Sequence, residues 1–181
     1  MQLHRFLLTI LPSPALSAEV DRLKAKVHER VGSFSGRNTV PHITLFFVDL
    51  TWESEGHICE GIARGLGGHK GFVLHYDGIT HFPDKRTIYI DPVEKEAIAP
   101  VRNSIVAEVR SYLQLNEAVR ETNHPHLTIA AGLKPTQFER AWELLAPHEF
   151  TSEERVTEVV LLRRELRTGT RYEPLRTFAL G

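Results

Sequence analysis

The sequence predicts an α+β protein built from two similar sheet lobes. Three observations carry that prediction. The order helix, motif strand, helix, strand, strand occurs twice along the 181 residues, as a degenerate two-fold repeat. The strands are short, are separated by turns, and have connections that allow antiparallel pairing. No Gly-rich phosphate loop follows any strand, as a doubly wound parallel sheet would be expected to show.

Residues 3–11 read as a first strand, stopped by Pro12-Ser13-Pro14. Leu16, Val20, Leu23, Val27 and Val31 then recur at helical spacing, and Gly32 ends that helix. A polar loop over 33–39 leads to the first motif strand, 40–48. The next helix, about 52–66, places Ile58, Ile62 and Leu66 on one face and stops at Gly67-Gly68. Residues 72–82 and 87–90 read as strands joined through Pro83-Asp84-Lys85-Arg86. The second half runs through a helix at about 94–115, a loop at 116–123 and the second motif strand. Thr136-Gln137-Phe138-Glu139 reads as a capping box for a helix to about Leu145. Strands at 155–166 and 174–180 close the chain, linked through Thr168-Gly169-Thr170. The expected unit is one domain, 1–181, with repeat halves near 14–91 and 92–181 and the first strand free to pair with either.

Composition narrows the function classes. Apolar content of 41% and charged content of 25% are ordinary for a soluble globular protein. A net charge of −1 gives no global attraction to nucleic acid or membrane, so a phosphate ligand must be held by local positive charge. The single Cys59 excludes an intramolecular disulfide and a cysteine-rich zinc site; it reads as a small buried hydrophobe. The apolar stretch at 6–11 is too short for a secretory signal core, and no segment is long enough to span a membrane. A cytoplasmic location is expected.

The chemistry lies in two segments, Pro41-His42-Ile43-Thr44-Leu45 and Pro125-His126-Leu127-Thr128-Ile129. Side chains alternate along a strand, so each His shares a face with the Thr two positions on, while Ile43, Leu45, Leu127 and Ile129 face a core. If the two strands meet across a cleft, they offer paired imidazoles and paired hydroxyls. Phosphodiester cleavage needs that set: one base, one acid, and donors for the non-bridging oxygens as charge builds there. A lone His-x-Thr in a strand signifies little, but two, each after Pro and at matching places in a repeat, are a specific signal.

These residues resemble the 2H phosphoesterase superfamily, and within it the 2′-5′ RNA ligase-like (LigT-like) proteins. Arg5-Phe6, Pro12, the 86–90 strand, and Gly169-x-x-Tyr172 before Leu175-x-x-Phe178-x-Leu180 extend the likeness over nearly the whole chain. The resemblance implies a bilobal α+β fold, two antiparallel sheets flanked by helices with pseudo-two-fold symmetry, and an active-site cleft between the lobes. It implies His42 and His126 as the acid/base pair, and Thr44 and Thr128 as phosphate-binding hydroxyls. It implies no cofactor and no metal, and a substrate that is a nucleotide or RNA end with a 2′,3′-cyclic phosphate or 2′-5′ linkage. The protein is expected to act as a monomer.

Other residues have two readings each. Arg86 and Tyr172 either line the cleft, as a phosphate cation and a base-stacking ring, or are a solvated turn residue and a core-edge aromatic. His124, on the same face as His126, is either a rim histidine or half of a zinc pair. Arg163, Arg164, Arg167 and Arg171 form the most basic stretch, either solvated or steering a nucleotide chain. The alternatives to a cyclic phosphodiesterase are a non-catalytic RNA- or nucleotide-end binding module and a zinc-dependent hydrolase centred on His124 and His126.

Overall fold

The computed structural model describes residues 2–82, 84–114, 119–168 and 171–181. The expected links through Pro83, 115–118 and 169–170 lie outside the described residues. In chain order the elements are β1 (Leu3–Ile10), α1 (Pro14–Val31), β2 (Ile43–Thr51), a 3₁₀ turn (Trp52–Ser54), α2 (Glu55–Gly65), β3 (Phe72–Phe82) and β4 (Thr87–Pro92). There follow α3 (Lys95–Leu113), β5 (Arg120–Glu121), β6 (Leu127–Ala130), α4 (Pro135–Leu145), β7 (Thr151–Val156), β8 (Glu158–Glu165) and β9 (Glu173–Ala179).

Local chemistry sets the helix ends. Pro14 opens α1, the Ser13 hydroxyl accepts from the Leu16 N–H at 3.2 Å, and Gly32 closes the helix with φ of 79°. Helix α4 begins one residue before the expected Thr136. Its first turn is closed by Gln137, whose Oε1 accepts from the Lys134 N–H at 3.0 Å. The Gln137 amide also donates to the Val31 and Ser33 carbonyls, tying α4 to the end of α1.

All pairings between the strands are antiparallel, in the order β7-β3-β4-β6-β2-β1-β8-β9, with β5 beside β2. The sheet has two four-stranded parts, β7-β3-β4-β6 and β2-β1-β8-β9. They are joined through one residue pair, Ile43 opposite Leu127. Helices α1 and α4 pack with the β6 side, and α2 and α3 with the β2 side, giving two lobes. The close α2–α3 contact depends on Gly61 and Gly65. A Cβ on Gly65 would lie 2.3 Å from the Ile105 Cα, and one on Gly61 would lie 2.8 Å from the Val109 Cα.

The lobes do not coincide with the sequence halves 14–91 and 92–181. Each lobe draws strands from both halves, because the chain crosses the seam several times. One crossing divides the expected single strand at 155–166. Val156 ends β7 against Phe72, Thr157 breaks the run with its carbonyl accepting from the Leu180 N–H, and Glu158 starts β8 against Ala179. The two-residue break at Thr157 and Glu158, both exposed, marks the change of partner. Among the described residues, no helix is long and apolar enough to cross a membrane.

Candidate active site

Both motif histidines sit one residue ahead of their strands, β2 and β6. Pro41 and Pro125 have no N–H to give a ladder, so regular pairing starts after each Pro-His. The same local geometry holds each ring. His42 Nδ1 lies 2.7 Å from the Val40 carbonyl oxygen, and His126 Nδ1 lies 2.7 Å from the His124 carbonyl oxygen. A carbonyl only accepts, so Nδ1 carries the proton in both rings. In the neutral imidazole the lone pair is therefore on Nε2. Both rings are set to take or give a proton at the same atom.

The register brings the four motif residues together. With Ile43 opposite Leu127 in an antiparallel pair, His42 falls opposite Thr128 and Thr44 opposite His126. All four share the face away from the core, since Ile43, Leu45, Leu127 and Ile129 are fully buried beneath them. His42, Thr44 and His126 line a cleft of about 330 Å³, and His42 and Thr128 line an adjoining recess of about 150 Å³.

A β-bulge shapes one wall of the cleft. Leu8 pairs with Phe46 and Thr9 with Thr44, leaving Leu45 as the extra residue. Leu45 and Phe46 both turn inward, and Phe47 and Asp49 emerge on the cleft face. Arg5 reaches across to Asp49 with two hydrogen bonds of 2.7 Å and lies 4.3 Å over the Phe47 ring. Tyr172 lines this wall as well, packed with Leu7 and Leu162 and topped by the Arg164 guanidinium at 5.0 Å. Arg163, on the other face, bonds Glu55 instead. Of the basic stretch, Arg164 thus approaches the cleft through Tyr172.

The other wall supports His126. Its ring meets Phe82 and Tyr89 edge-on at 5.2 and 5.1 Å, and those two rings stack at 4.3 Å. The Tyr89 hydroxyl is 3.2 Å from His124 Nε2, which also faces Asp91 Oδ1 and the Lys95 ammonium, each at 3.4 Å. Lys95 is paired to Asp91 at 2.6 Å. His124 is therefore a rim histidine whose carbonyl aims His126. A zinc ion on His124 Nε2 would meet the Lys95 ammonium, which lies 3.4 Å from that nitrogen. Among the described residues no group of three or more His, Cys, Asp and Glu is placed to hold a metal.

Arg86 is placed differently from the cleft reading. It sits exposed in the β3–β4 turn with φ of 47°, and its Nε donates to the Leu133 carbonyl at 2.7 Å. It is not among the residues lining the cleft. Cys59 is buried on the inner face of α2, and that burial raises its thiol above the ordinary range.

Burial is the leading cause that lowers both motif histidines below the ordinary imidazole value. Around His42 the nearby Lys24 cation adds to the depression, while the Val40 carbonyl opposes it. Around His126 the His124 carbonyl and Asp91 oppose the depression, and His124 and Lys85 add to it.

The profile of the 2′-5′ RNA ligase superfamily matches residues 12–168. The chain belongs to that superfamily. Its fold is that of the LigT-like 2H phosphoesterases. E. coli LigT complexed with 3′-AMP superposes with a TM-score of 0.72 at 19% identity, over 99% of both chains. TT0787 of Thermus thermophilus gives 0.70 at 19% identity over 97% of both. The MHV ns2 PDE domain gives 0.58 at 11% identity, over 91% of this chain and 99% of that one. No curated protein matches the sequence.

Within this member of the 2′-5′ RNA ligase superfamily, several cleft residues escape sequence reasoning. Phe47 is masked by the bulge, which breaks the two-residue alternation. Arg120 and Thr122 come from the two-residue β5 and its end, inside an expected loop. Arg5 stands in the quoted likeness, but only the Asp49 register shows which way it turns.

Proposed function

We propose that the cleft is the active site of a phosphodiesterase acting on RNA or nucleotide 2′,3′-cyclic phosphates, or on 2′-5′ linkages. The observation that carries this reading is the crossed quartet: His42 opposite Thr128 and Thr44 opposite His126 around one residue pair. A phosphate above that pair has an imidazole on each side and a hydroxyl beside each imidazole.

In hydrolysis one neutral histidine takes a proton from water through Nε2 as the water oxygen bonds to phosphorus. The other, protonated, gives its Nε2 proton to the departing ribose oxygen as the P–O bond breaks. The threonine hydroxyls donate to the non-bridging oxygens, where negative charge builds. The two imidazoles finish with exchanged protonation and are reset by solvent. Run backwards, the same steps form the bond. The Phe47 and Tyr172 rings offer stacking surface for the nucleoside. The steps use side chains of this chain alone, and one molecule supplies all of them.

The test is turnover of a 2′,3′-cyclic nucleotide and of 2′-5′ linked oligonucleotides by wild type, His42→Ala and His126→Ala. Each single variant is expected to lose most of the rate, and the double variant little more, because the pair acts as a unit. Unchanged turnover in either variant overturns the assignment. Tight binding without turnover in wild type makes the protein a nucleotide-end binding module instead.

A further inference from the structure

Lys24 touches no reacting atom in the steps above, yet it is almost completely buried, with 2% exposure. It lies on α1 beside the core-facing Val20, Leu23 and Val27, so its methylene stem packs while its ammonium reaches the seam between the lobes. The ammonium donates to the Thr39 carbonyl at 2.6 Å. Its nearest carboxylate, Asp21, is 3.8 Å away and 55% exposed. An ammonium carries three donors, and a buried one without a close counter-ion is costly to keep. An apolar side chain of that length would fill the same space without that cost.

The place the ammonium faces explains its retention. Lys24 lines the recess of about 150 Å³ together with His42, Thr128 and the 36–41 loop, so the recess opens directly beside the quartet. On the same loop, Arg37 Nε is sheltered from solvent and has no hydrogen-bond partner. Arg37 and Arg171 line the next hollow with Asp21, so three cations gather around one carboxylate. The opposite side of His42 is unlike this. There the rings of Phe47 and Tyr172 line the wall, Asp49 neutralises Arg5, and the Glu121 carboxylate, paired with Arg102 and Arg110, lines the cleft with Arg120.

We propose that this recess and the hollow beside it form a second phosphate subsite, in which Lys24 from the recess and Arg37 from the hollow hold a phosphoryl group adjacent to the scissile one. The preferred substrate is then a nucleotide or RNA end with at least two phosphates, not a nucleoside 2′,3′-cyclic monophosphate. The subsite rests on the phosphodiester reading for its place beside the scissile group. The second phosphate has two sources, a terminal 5′-phosphate or the preceding internucleotide linkage.

Three substrates separate the cases: uridine 2′,3′-cyclic phosphate, the same compound with a 5′-phosphate, and the dinucleotide UpU ending in a 2′,3′-cyclic phosphate. The second phosphate is expected to raise kcat/KM about tenfold or more, as one charge-assisted hydrogen bond does. Whichever of the two phosphorylated substrates gains identifies the source. In Lys24→Met and in Arg37→Gln the ratio of phosphorylated to plain substrate falls toward one. Equal kcat/KM for all three substrates in wild type overturns the subsite and leaves the phosphodiesterase standing. So does a ratio that both variants retain. Calorimetric titration with uridine 3′-phosphate and uridine 3′,5′-bisphosphate reads the subsite without turnover. Tighter binding of the bisphosphate, lost in both variants, supports it even if no substrate is hydrolysed; equal binding of the two ligands overturns it.

Discussion

Ile43 stands opposite Leu127, and this one pair forms the ladder between β2 and β6. Everything the two motifs do together passes through it. The strands on either side are held by longer ladders, eight pairs between β1 and β2 and three between β4 and β6. The lobes are thus internally well tied, and the seam where the histidines meet is lightly tied. Packing of the two apolar side chains beneath the quartet, both fully buried, fixes the spacing between the two imidazoles.

Truncation at the seam is therefore expected to cost more activity than its stability loss explains. Leu127→Ala should lower unfolding free energy by about 2–5 kcal/mol, as large-to-small core changes do. Leu145→Ala, equally buried but on α4, serves as the comparison. At a temperature where both remain folded, kcat should fall about tenfold or more in Leu127→Ala and stay within about twofold in Leu145→Ala, by the sensitivity of catalysis to misplacement. Equal kcat in both variants would remove the seam from the mechanism.

The lowered motif histidines predict an acid-side pH optimum. Burial favours the neutral rings, so both protons leave below the ordinary imidazole value of about 6.5. In the proposed reaction one ring must be neutral and one protonated, and kcat/KM reports the free enzyme. Its maximum should therefore lie below pH ~6.5. Stability follows the same groups. Between the folded and unfolded values the unfolded chain binds more protons, so stability rises with pH across that window. The contribution of both histidines is fully present above about pH 6.5 and is lost as pH falls through their folded values. A urea midpoint series from pH 7.5 to 5 (roughly the span over which histidine titrates) should show the decline in wild type and a weaker one in His42→Asn.

The candidate site was legible in the sequence because its parts are local. Pro, His and Thr at fixed spacing put an imidazole and a hydroxyl on one strand face, and the repeated halves paired the motifs. Relationships with no local signature stayed hidden. Val156 and Val159 fall in one expected strand, yet they pair in different lobes. Phe47 reaches the cleft through a bulge that only the β1 register shows. Lys24 reads as an ordinary charge on an amphipathic helix until the 36–41 loop folds over it. Arg86 shows the reverse case, a charge near the expected place that the turn directs to Leu133.

Asp91 is expected to tune His126 from behind His124. The carboxylate raises the His126 value against the lowering by burial, and it pairs with the Lys95 ammonium that lies against His124. Asp91→Asn should shift the NMR titration of the His126 ring to lower pH and leave that of His42 in place. Tyr89→Phe removes the 3.2 Å contact with His124 Nε2 without removing the stacked ring. Loss of one such bond, about 0.5–1.5 kcal/mol, should reduce kcat a fewfold with KM unchanged. A Tyr89→Phe effect confined to KM would mean that this network contacts substrate rather than holding His126.

Gly65→Ala should destabilise the protein, although alanine is the better helix former by about 1 kcal/mol. Gly65 is the last residue of α2 and its φ is not positive, so no strain in φ demands glycine there. The demand comes from α3. An added Cβ would lie 2.3 Å from the Ile105 Cα and 2.8 Å from its amide nitrogen, both main-chain atoms with no rotamer to yield. The two helices must move apart, which opens the packing around Ile62, Ile105 and Val109, all buried in the core. Overpacking of this kind costs about 1–3 kcal/mol, enough to outweigh the propensity gain. Gly56→Ala, at the exposed start of the same helix with nothing within 4 Å, should be neutral or slightly stabilising. Thermal melts of the two variants side by side decide it. A Gly65→Ala melting point at or above that of Gly56→Ala would show that α2 and α3 are not in close contact in solution.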